Sequence, residues 1–537
     1  MRSRIFFWSI TSALAGFIFG FDTVVISGAE QKIQSLWNLS PGLHGIAMAA
    51  ALYGTVLGSL LGGWPADRFG RRATLALVGV LYIISAVGCA FAWDVTSFAA
   101  ARFIGGLGIG ISTVAAPLYI SEISPPAYRG RLAGMFQFNI VFGILVAFAS
   151  NAVLAKLGEN AWRWMLGVAV FPSLVYTMMC FSLPESPRWL IGRKGDRAAG
   201  LNVLRLIEPE ATPAQLEAHA QEILAASSER VSSSHFWTWK LRVPILLAIL
   251  IAFFNQLSGI NAILYFAPRI FGLTGSENAL AQSVGIGITN LMFTFVGLWL
   301  IDRLGRRTLM FIGSCGYIVS LGVCAAAFFT WGPQFKAASA AVDVKSGANG
   351  LAAANPARVA ALTTELDAKK QHLVEATSVA ASGTQPVQFP ANADLAVVKE
   401  TASTALRQAS QAAGSGGLLV LIGIFLFIAS HAVGQGAVIW VFISEIFPNR
   451  HRAEGQSLGS ATHWVFAALL TTFFPLMIAA LAPGYVFSLF CGMMVLQLIW
   501  VKTMMPETKG VPLEQMQKLL KLEEQVDEVA IPPLARS

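Results

Sequence analysis

The chain has 537 residues, of which 55% are hydrophobic and 12% are charged, and its mean hydropathy is +0.63. Soluble globular domains carry about twice that charged fraction, so the composition excludes an ordinary soluble protein and indicates a membrane protein. The net charge of +8 does not indicate a nucleic-acid partner, because no basic run is interleaved with aromatic residues.

About twelve apolar runs are long enough to cross a membrane, since one helical crossing needs about 20 apolar residues. Their length excludes an outer-membrane barrel, whose strands are short and alternate in polarity. We number them span 1 to span 12. They lie near residues 5–27, 43–66, 73–92, 95–121, 132–155, 162–183, 243–267, 279–301, 308–331, 415–443, 456–481 and 484–505.

Positive charges are distributed unevenly over the loops between the spans. Positive residues are retained in short cytoplasmic loops, so the richer set of loops, and with it both termini, is predicted to be cytoplasmic. That set holds twelve arginines: Arg2, Arg4, Arg68, Arg71, Arg72, Arg129, Arg131, Arg303, Arg306, Arg307, Arg450 and Arg452. The alternate set holds four positive residues: Lys32, Lys156, Arg163 and Arg269.

Three motifs occur twice, at matching places in the two halves of the chain. Parallel internal repeats are typical of transporters that bind their cargo between two halves. The pairs are GGWPADRFGRR (62–72) with GLWLIDRLGRR (297–307), SEISPPAYRG (121–130) with SEIFPNRHRAEG (444–455), and PESPRWL (184–190) with PETKG (506–510). We expect an N-terminal six-helix bundle (1–184), a cytoplasmic linker with short helices (185–240), a C-terminal six-helix bundle (241–332 and 415–506) and a cytoplasmic tail (507–537).

Residues 333–414 form an insertion between spans 9 and 10, on the extracytoplasmic side by this topology. Asn355-Pro356 is typical of a helix start, and apolar residues then recur at helical spacing. A second amphipathic stretch covers 394–406. The pattern predicts a small helical hairpin, with a flexible alanine-rich tether as the alternative.

Two isolated charges lie within spans. Asp22 is the only charge between Arg4 and Glu30, and Arg102 is the only charge between Asp94 and Glu122. A charge within a span costs at least a few kcal/mol, so it usually faces a partner or a cavity. The two residues lie at similar depth. A buried structural ion pair is one interpretation, and a proton-coupling carboxylate that responds to the distance of Arg102 is the one we favour.

Amide side chains and aromatic rings inside the spans indicate a binding site for a neutral, polyhydroxylated ligand. Each amide both donates and accepts hydrogen bonds, and tryptophan faces suit a sugar ring. Gln256 and Asn261 would point about 140° apart on a regular helix, so both serve one site only if span 7 is broken at Ser258-Gly259. A single amide is commonly only an interhelical contact. The candidates are Gln137, Asn255, Gln256, Asn261, Asn290, Gln435, Trp440, His463 and Trp464.

Acids and arginines of the repeated motifs predict a cytoplasmic gate. Ion pairs at the inner ends of the helices could join the two halves while the outside is open and part when the inside opens. Topological anchoring would explain the arginines but not the matched acids. The gate candidates are Asp67, Arg71, Glu122, Arg129, Asp302, Arg306, Glu445 and Arg452.

These motifs together resemble the sugar porters of the major facilitator superfamily over nearly the whole chain outside 333–414. The resemblance implies an all-α membrane protein with twelve transmembrane helices in two six-helix bundles, a centrally bound hexose or pentose, and alternating access. By position, Gln137, Gln256, Asn261, Asn290 and Trp440 resemble sugar contacts, and Asp22 with Arg102 resembles the proton-coupling pair of symporters. Asn255, Phe266 and His463 depart from the family's usual residues.

We therefore expect a proton-coupled monosaccharide symporter in the bacterial inner membrane, whose partners are the sugar, protons and the lipid bilayer, and which functions as a monomer. An uncoupled uniporter and a non-transporting sugar sensor are the alternatives. No nucleophile–base pair, nucleotide-binding loop or metal spacing indicates an enzyme, a cofactor or a metal site. The five cysteines lie inside spans without a CxxC pair, which favours small buried apolar groups.

Overall fold

The computed structural model describes residues 3–125, 129–229, 236–352, 356–380, 384–390, 393–448, 451–511, 516 and 520. The described residues form helices and no strands, and these helices account for twelve membrane crossings. The helices of the spans are Ser3–Val25, Pro41–Leu61, Arg71–Ala90, Val95–Ile123, Arg129–Leu154, Ala161–Gly167 with Val170–Cys180, Arg242–Leu257 with Ile260–Tyr265 and Ala267–Gly272, Ala279–Leu304, Arg306–Ala352, Gly416–Val433 with Gln435–Ile446, Arg452–Ala480 and Pro483–Thr503.

Length and composition within the described residues give eleven apolar helical stretches, because spans 5 and 6 form one uninterrupted stretch, Gly134–Cys180. The chain reverses within it at Gly158, whose φ of 80° lies in the region that glycine adopts without a steric penalty. Spans 5 and 6 are therefore separate crossings, and the chain has twelve.

The two six-helix bundles meet where spans 2 and 11, and spans 5 and 8, pack against each other. Glycines allow these helices to approach closely, as is common in membranes. A Cβ at Gly45 of span 2 would lie 1.9 Å from the carbonyl oxygen of Thr472 in span 11. The Tyr53 hydroxyl is 2.7 Å from Thr472 Oγ1. The backbones of the two bundles are thus in direct contact between these spans.

Short helices occupy the chain between spans 6 and 7 and the loops beside the spans. In the linker, Leu204, Leu216, Ala220 and Ile223 form a small core with Ile191. The remaining described helices are Ile26–Gly28, Glu30–Leu36, Gly63–Phe69, Ala155–Asn160, Pro187–Trp189, Leu190–Lys194, Arg197–Ile207, Pro213–Glu229, Trp239–Leu241, Pro356–Arg358, Val359–Val379 and Leu395–Ala413.

The insertion is helical, but it is a three-helix unit and not a hairpin. Two helices lie where the sequence indicated them, at Val359–Val379 and Leu395–Ala413. The third is the continuation of span 9, which kinks at Trp331 and runs on to Ala352. Proline at position 333 does not end the helix, because a proline is tolerated where a kink has already opened the hydrogen-bond ladder.

Apolar side chains from all three helices form the core of the insertion, which includes Val344, Leu366, Leu373, Val398 and Leu406. Asp394 caps the last helix through a hydrogen bond from the Val397 amide at 2.8 Å. The alanine-rich composition is therefore that of closely packed helices and not of a flexible tether.

Replacing Val398 by Asp should loosen the insertion and leave the spans folded. Val398 is 1% exposed, so an unpaired carboxylate there would cost at least about 2 kcal/mol. Limited proteolysis should cut the Val398→Asp variant faster within 359–413. The neighbouring Val397 is 38% exposed, and Val397→Asp should be cut at the wild-type rate. Equal cleavage of the two variants would contradict the three-helix core.

Candidate transport site

Asp22 of span 1 and Arg102 of span 4 form an ion pair inside the N-terminal bundle. The Nη1 atom of Arg102 donates to Asp22 Oδ1 at 2.7 Å, and Nη2 donates to the backbone carbonyl of Asp22 at 3.2 Å. Asp22 is 7% exposed and Arg102 is fully buried. The depths counted from the sequence therefore correspond to residues in direct contact.

One oxygen of the Asp22 carboxylate is left without a partner. Neither Asp22 Oδ2 nor Ser85 Oγ has a hydrogen-bond partner among the described residues. A Cβ at Gly105 would lie 2.4 Å from Ser85 Oγ and 3.8 Å from Asp22 Oδ2, so glycine keeps this space open. A carboxylate whose one oxygen is hydrogen-bonded and whose other oxygen is unpaired can accept a proton at the unpaired oxygen while the first remains bound.

Span 7 is broken between Gln256 and Asn261, where the sequence predicts it. The helix ends at Leu257 and resumes at Ile260, and Gly259 between them has a φ of 89°. The break brings the Asn261 amide to Gln256, to which it donates at 2.7 Å. The two side chains are thus in direct contact, as the sequence predicts for a distorted helix.

Aromatic rings from spans 10 and 11 lie beside this amide pair. The Nε2 atom of Gln256 lies 3.2 Å from the His463 ring nitrogens. The His463 ring centroid is 5.2 Å from Trp440 and 4.7 Å from Trp464. Trp464 also contacts Phe19 of span 1 at 5.5 Å, so the aromatic group reaches the N-terminal bundle.

Asn255 and Gln435 are placed differently from the other candidate contacts. Their side chains bond to each other at 3.4 Å, and Gln435 also donates to Gln497 Oε1 at 2.8 Å. Gln435 is fully buried, as Gln256 is, and its direct contact with the ligand stays a prediction. Sequence reasoning overlooked Gln497, although an amide inside apolar span 12 is the same signal that marked the others.

The two remaining amide candidates lie on neighbouring helices at the interface of the bundles. Gln137 is half-buried in span 5, and Asn290 is 7% exposed in span 8. Spans 5 and 8 pack closely, with Gly287 against Leu145. Among the described residues, no group of three His, Cys, Asp or Glu side chains is arranged to hold a metal ion.

The repeated motifs form the same charged network at the inner end of each bundle. Arg71 bonds to Glu122 at 2.9 Å and to Asp67 at 3.2 Å. Arg306 bonds to Glu445 at 2.8 Å and to Asp302 at 3.2 Å. Each motif is therefore paired within its own half.

Glutamates of the PES and PET motifs complete the two networks, although they are not among the gate candidates from the sequence. Glu185 accepts from the Arg71 amide and Glu507 accepts from the Arg306 amide, both at 2.8 Å, so each caps the start of a span. Burial raises the pKa of Glu185, and the backbone donors around it only partly offset this. Gly70, with a φ of 94°, allows the close approach of Glu185.

Two gate candidates do not join these networks. The Arg452 Nε atom has no hydrogen-bond partner among the described residues, although Arg452 begins span 11. The side chain of Arg129 lies outside the described part of the chain. Within that part, we find no salt bridge that joins the two bundles at the inner end.

The outer end, by contrast, has a buried salt bridge between the bundles. Arg269 of span 7 donates to Glu30 at 3.0 and 2.7 Å, and to Gln34 at 2.6 Å. His44 Nε2 lies 2.9 Å from the same Glu30 carboxylate, and Glu30 and His44 are fully buried. These contacts therefore join the two bundles at the end of the molecule that is predicted to face outward. Arg269 was predicted to lie in an outer loop, and its partner Glu30 is not evident from the sequence.

The sequence profile described as sugar (and other) transporter matches residues 8–352 and 396–520. The chain belongs to this family. It is 30% identical to the arabinose-proton symporter of Bacillus subtilis, over 95% of this chain and 94% of that one. It is 28% identical to the D-xylose-proton symporter of Escherichia coli K12, over 96% of both chains.

The fold is that of the major facilitator superfamily. The chain matches the partially occluded inward-open conformation of the xylose transporter XylE from Escherichia coli with a TM-score of 0.71 at 26% identity, over 95% of this chain and 100% of that one. The same transporter bound to 6-bromo-6-deoxy-D-glucose, described as a major facilitator proton:xylose symporter, matches with a TM-score of 0.67 over 96% and 99%. The family profile leaves 353–395 unmatched, within the insertion.

Acidification should weaken the outer closure. Burial raises the pKa of Glu30, but the Arg269 charge and the bonds from His44 and Arg269 outweigh it and hold the pKa below its ordinary value. A carboxylate with a lowered pKa stabilises the closed state above the ordinary glutamate range, and this stabilisation is lost as pH falls through the lowered pKa. Spin labels at Leu157 and Tyr485 should therefore move apart at low pH.

Substitution of Glu30 by Gln should shift the same distance distribution at neutral pH and remove most of its pH dependence. The matched control is Glu277→Gln, which removes an exposed acid from the same end of the molecule. An unchanged distribution in Glu30→Gln would show that this ion pair does not hold the outer end closed.

Proposed function

We propose that the chain imports a monosaccharide together with a proton by alternating access, across the inner membrane of a bacterium, with both termini in the cytoplasm and one chain as the functional unit. Arabinose and xylose, which its relatives' names give as their cargo, set the expected size of the substrate. The observation that carries the proposal is the buried Asp22–Arg102 pair, whose Asp22 Oδ2 is free.

Proton binding at Asp22 acts through the charge of the pair. Protonation neutralises the carboxylate and removes most of its attraction for Arg102, because the attraction between two opposite charges is strong in a buried site. Arg102 then becomes an unpaired buried charge, which is unstable unless the surrounding helices move. The proton thus changes the relative energies of the conformations.

Tyr265 provides a physical link between the proton site and the sugar site. The helix that carries Tyr265 packs against span 1, which carries Asp22. Tyr265 is at the end of the six-residue helix Ile260–Tyr265, which also carries Asn261. A short helix between two breaks moves as a unit, so sugar bound at Asn261 and the charge of Asp22 act on the same element.

Sugar recognition is assigned to the Gln256–Asn261 amides and the rings of Trp440, His463 and Trp464. The amides donate and accept hydrogen bonds, as paired hydroxyls require, and the rings offer apolar faces to the C–H side of a pyranose or furanose. These side chains carry no permanent charge, which suits a neutral cargo. Gln137 and Asn290 complete the proposed site from spans 5 and 8.

Two sets of ion pairs gate the site. Glu30–Arg269 joins the bundles at the outer end in the conformation described here. At the inner end, the matched networks of Arg71 and Arg306 are each paired within one bundle. When the outer pair separates, the inner ends approach and the two networks come into register across the interface. The gate therefore exchanges one salt bridge between the bundles for contacts at the opposite end.

Asp22→Asn should abolish accumulation of sugar while preserving its passage. Asparagine cannot take up or release the proton, so a proton gradient can no longer drive uptake. In proteoliposomes, counterflow of labelled sugar should persist, whereas the internal concentration should no longer exceed the external one. Arabinose, xylose and glucose form the test panel.

The control is Asp94→Asn, the same chemical change at the exposed cap of span 4, where asparagine caps equally well. This variant should accumulate sugar as the wild type does. Undiminished accumulation in Asp22→Asn would refute the coupling, and no uptake of any tested monosaccharide by the wild type would refute sugar transport.

A further inference from the structure

A continuous series of side-chain hydrogen bonds runs through the C-terminal bundle into the proposed sugar site. We call it the amide relay. It begins at the backbone carbonyl of Met310 in span 9 and ends at Asn261 in span 7. Its steps are Ser314 Oγ to Met310 O at 2.7 Å, Gln497 to Ser314 at 2.8 Å, Gln435 to Gln497 at 2.8 Å, Asn255 to Gln435 at 3.4 Å, Gln256 to Asn255 at 2.8 Å and Asn261 to Gln256 at 2.7 Å.

All six bonds of the amide relay point in the same direction. The Met310 carbonyl carries no hydrogen and can only accept. Ser314 has one proton and gives it to Met310, so toward Gln497 it can only accept. An amide presents oxygen on one side and NH₂ on the other, so each donor determines the orientation of the next amide. The direction set at Met310 is therefore transmitted to Asn261.

Burial makes this direction costly to reverse. Ser314, Gln435 and Gln497 are fully buried, and Asn255 is 2% exposed. A flipped amide would place oxygen against oxygen or NH₂ against NH₂. Ser314, Gln435 and Gln497 have no exposed surface, so water cannot replace the lost hydrogen bonds. A buried polar group without its partner loses about 1–3 kcal/mol, so a single orientation dominates.

The last two residues of the amide relay set which hydrogen-bond donors and acceptors face the sugar. Asn261 uses its NH₂ group on Gln256, so its Oδ1 atom remains to accept from a sugar hydroxyl. Gln256 keeps one N–H directed at the His463 ring. We propose that Gln497 and Ser314, which do not contact the sugar, are positioning residues that fix the donor and acceptor pattern of the site. This inference rests on the proposed sugar-transport function.

A purely structural role predicts a different outcome. If Gln497 only joined spans 12 and 10, its loss would lower stability and leave discrimination among sugars unchanged. If it orients the amide relay, Asn255 and Gln256 gain a second orientation when it is lost. The site then accepts hydroxyl patterns that it formerly rejected, because part of the population presents a donor where it had an acceptor.

The test compares Gln497→Met and Ser314→Ala with the wild type and with Ser320→Ala. Ser320 is a fully buried serine of span 9 outside the amide relay, so its variant controls for loss of a buried hydroxyl. The readouts are KM and maximal rate for whichever of arabinose, xylose and glucose the wild type takes up best, and for its monodeoxy derivatives.

Gln497→Met should raise KM for the parent sugar about tenfold, the equivalent of one hydrogen bond to the site, and reduce its preference over one deoxy derivative by a similar factor. Ser314→Ala should shift both in the same direction by less. Ser320→Ala should leave the preference unchanged. Wild-type preference in both relay variants would overturn the inference.

A second measurement needs no sugar. In the ligand-free protein, melting temperatures of Gln435→Met, Gln497→Met and the double variant form a cycle. The double variant should be clearly less destabilised than the sum of the single variants, because either change interrupts the same relay. Additive losses would overturn the amide relay whatever the cargo, whereas failure of sugar uptake by the wild type would instead refute the proposed function.

Discussion

The arrangement of the molecule depends on one buried ion pair. Asp22 and Arg102 lie on spans 1 and 4, in surroundings where neither charge is stable without the other. Their contact ties the two helices together, and in the proposed mechanism a proton bound at Asp22 weakens it. In that mechanism the broken span 7, the gates and the amide relay turn this local change into movement of the bundles.

The two halves use their charges and amides for different tasks. The N-terminal bundle holds the ionisable pair, whereas the C-terminal bundle holds the relay of neutral amides from span 9 to span 7. A charged site can respond to protons, while a site of oriented amides can read hydroxyl groups without responding to pH. The short helix Ile260–Tyr265 belongs to the second bundle and packs against span 1 of the first, so in the proposed mechanism it joins the two tasks.

The features that could be predicted from the sequence depend on the depth of a residue within its span and on the helical period. Residue counting placed Asp22 and Arg102 at one level, and the angle between Gln256 and Asn261 indicated a break at Ser258-Gly259. The charged networks at the inner end could be predicted only in part. The repeated motifs identified their arginines and acids, but the capping by Glu185 depends on which helix start lies beside the end of span 6.

Other features could not be read from the sequence because it does not specify which helices are neighbours. The sequence shows Glu30 only as a charge at the end of span 1. It does not show that Arg269 of the other bundle lies beside it. Span 9 was expected to end near the proline at 333, yet it continues into the insertion because its apolar face is covered by two further helices. Gln435 lies in a broken span, as ligand contacts commonly do, and the sequence does not show that its amide donates to Gln497.

The central claim is that sugar moves only with a proton carried at Asp22. The most direct measurement is the internal pH of proteoliposomes, reported by a trapped dye, after a downhill sugar gradient is imposed without any applied pH difference. Our account predicts that the interior acidifies as sugar enters, and that the change disappears when a protonophore is added. Sugar entry at the normal rate with no change in internal pH would contradict it.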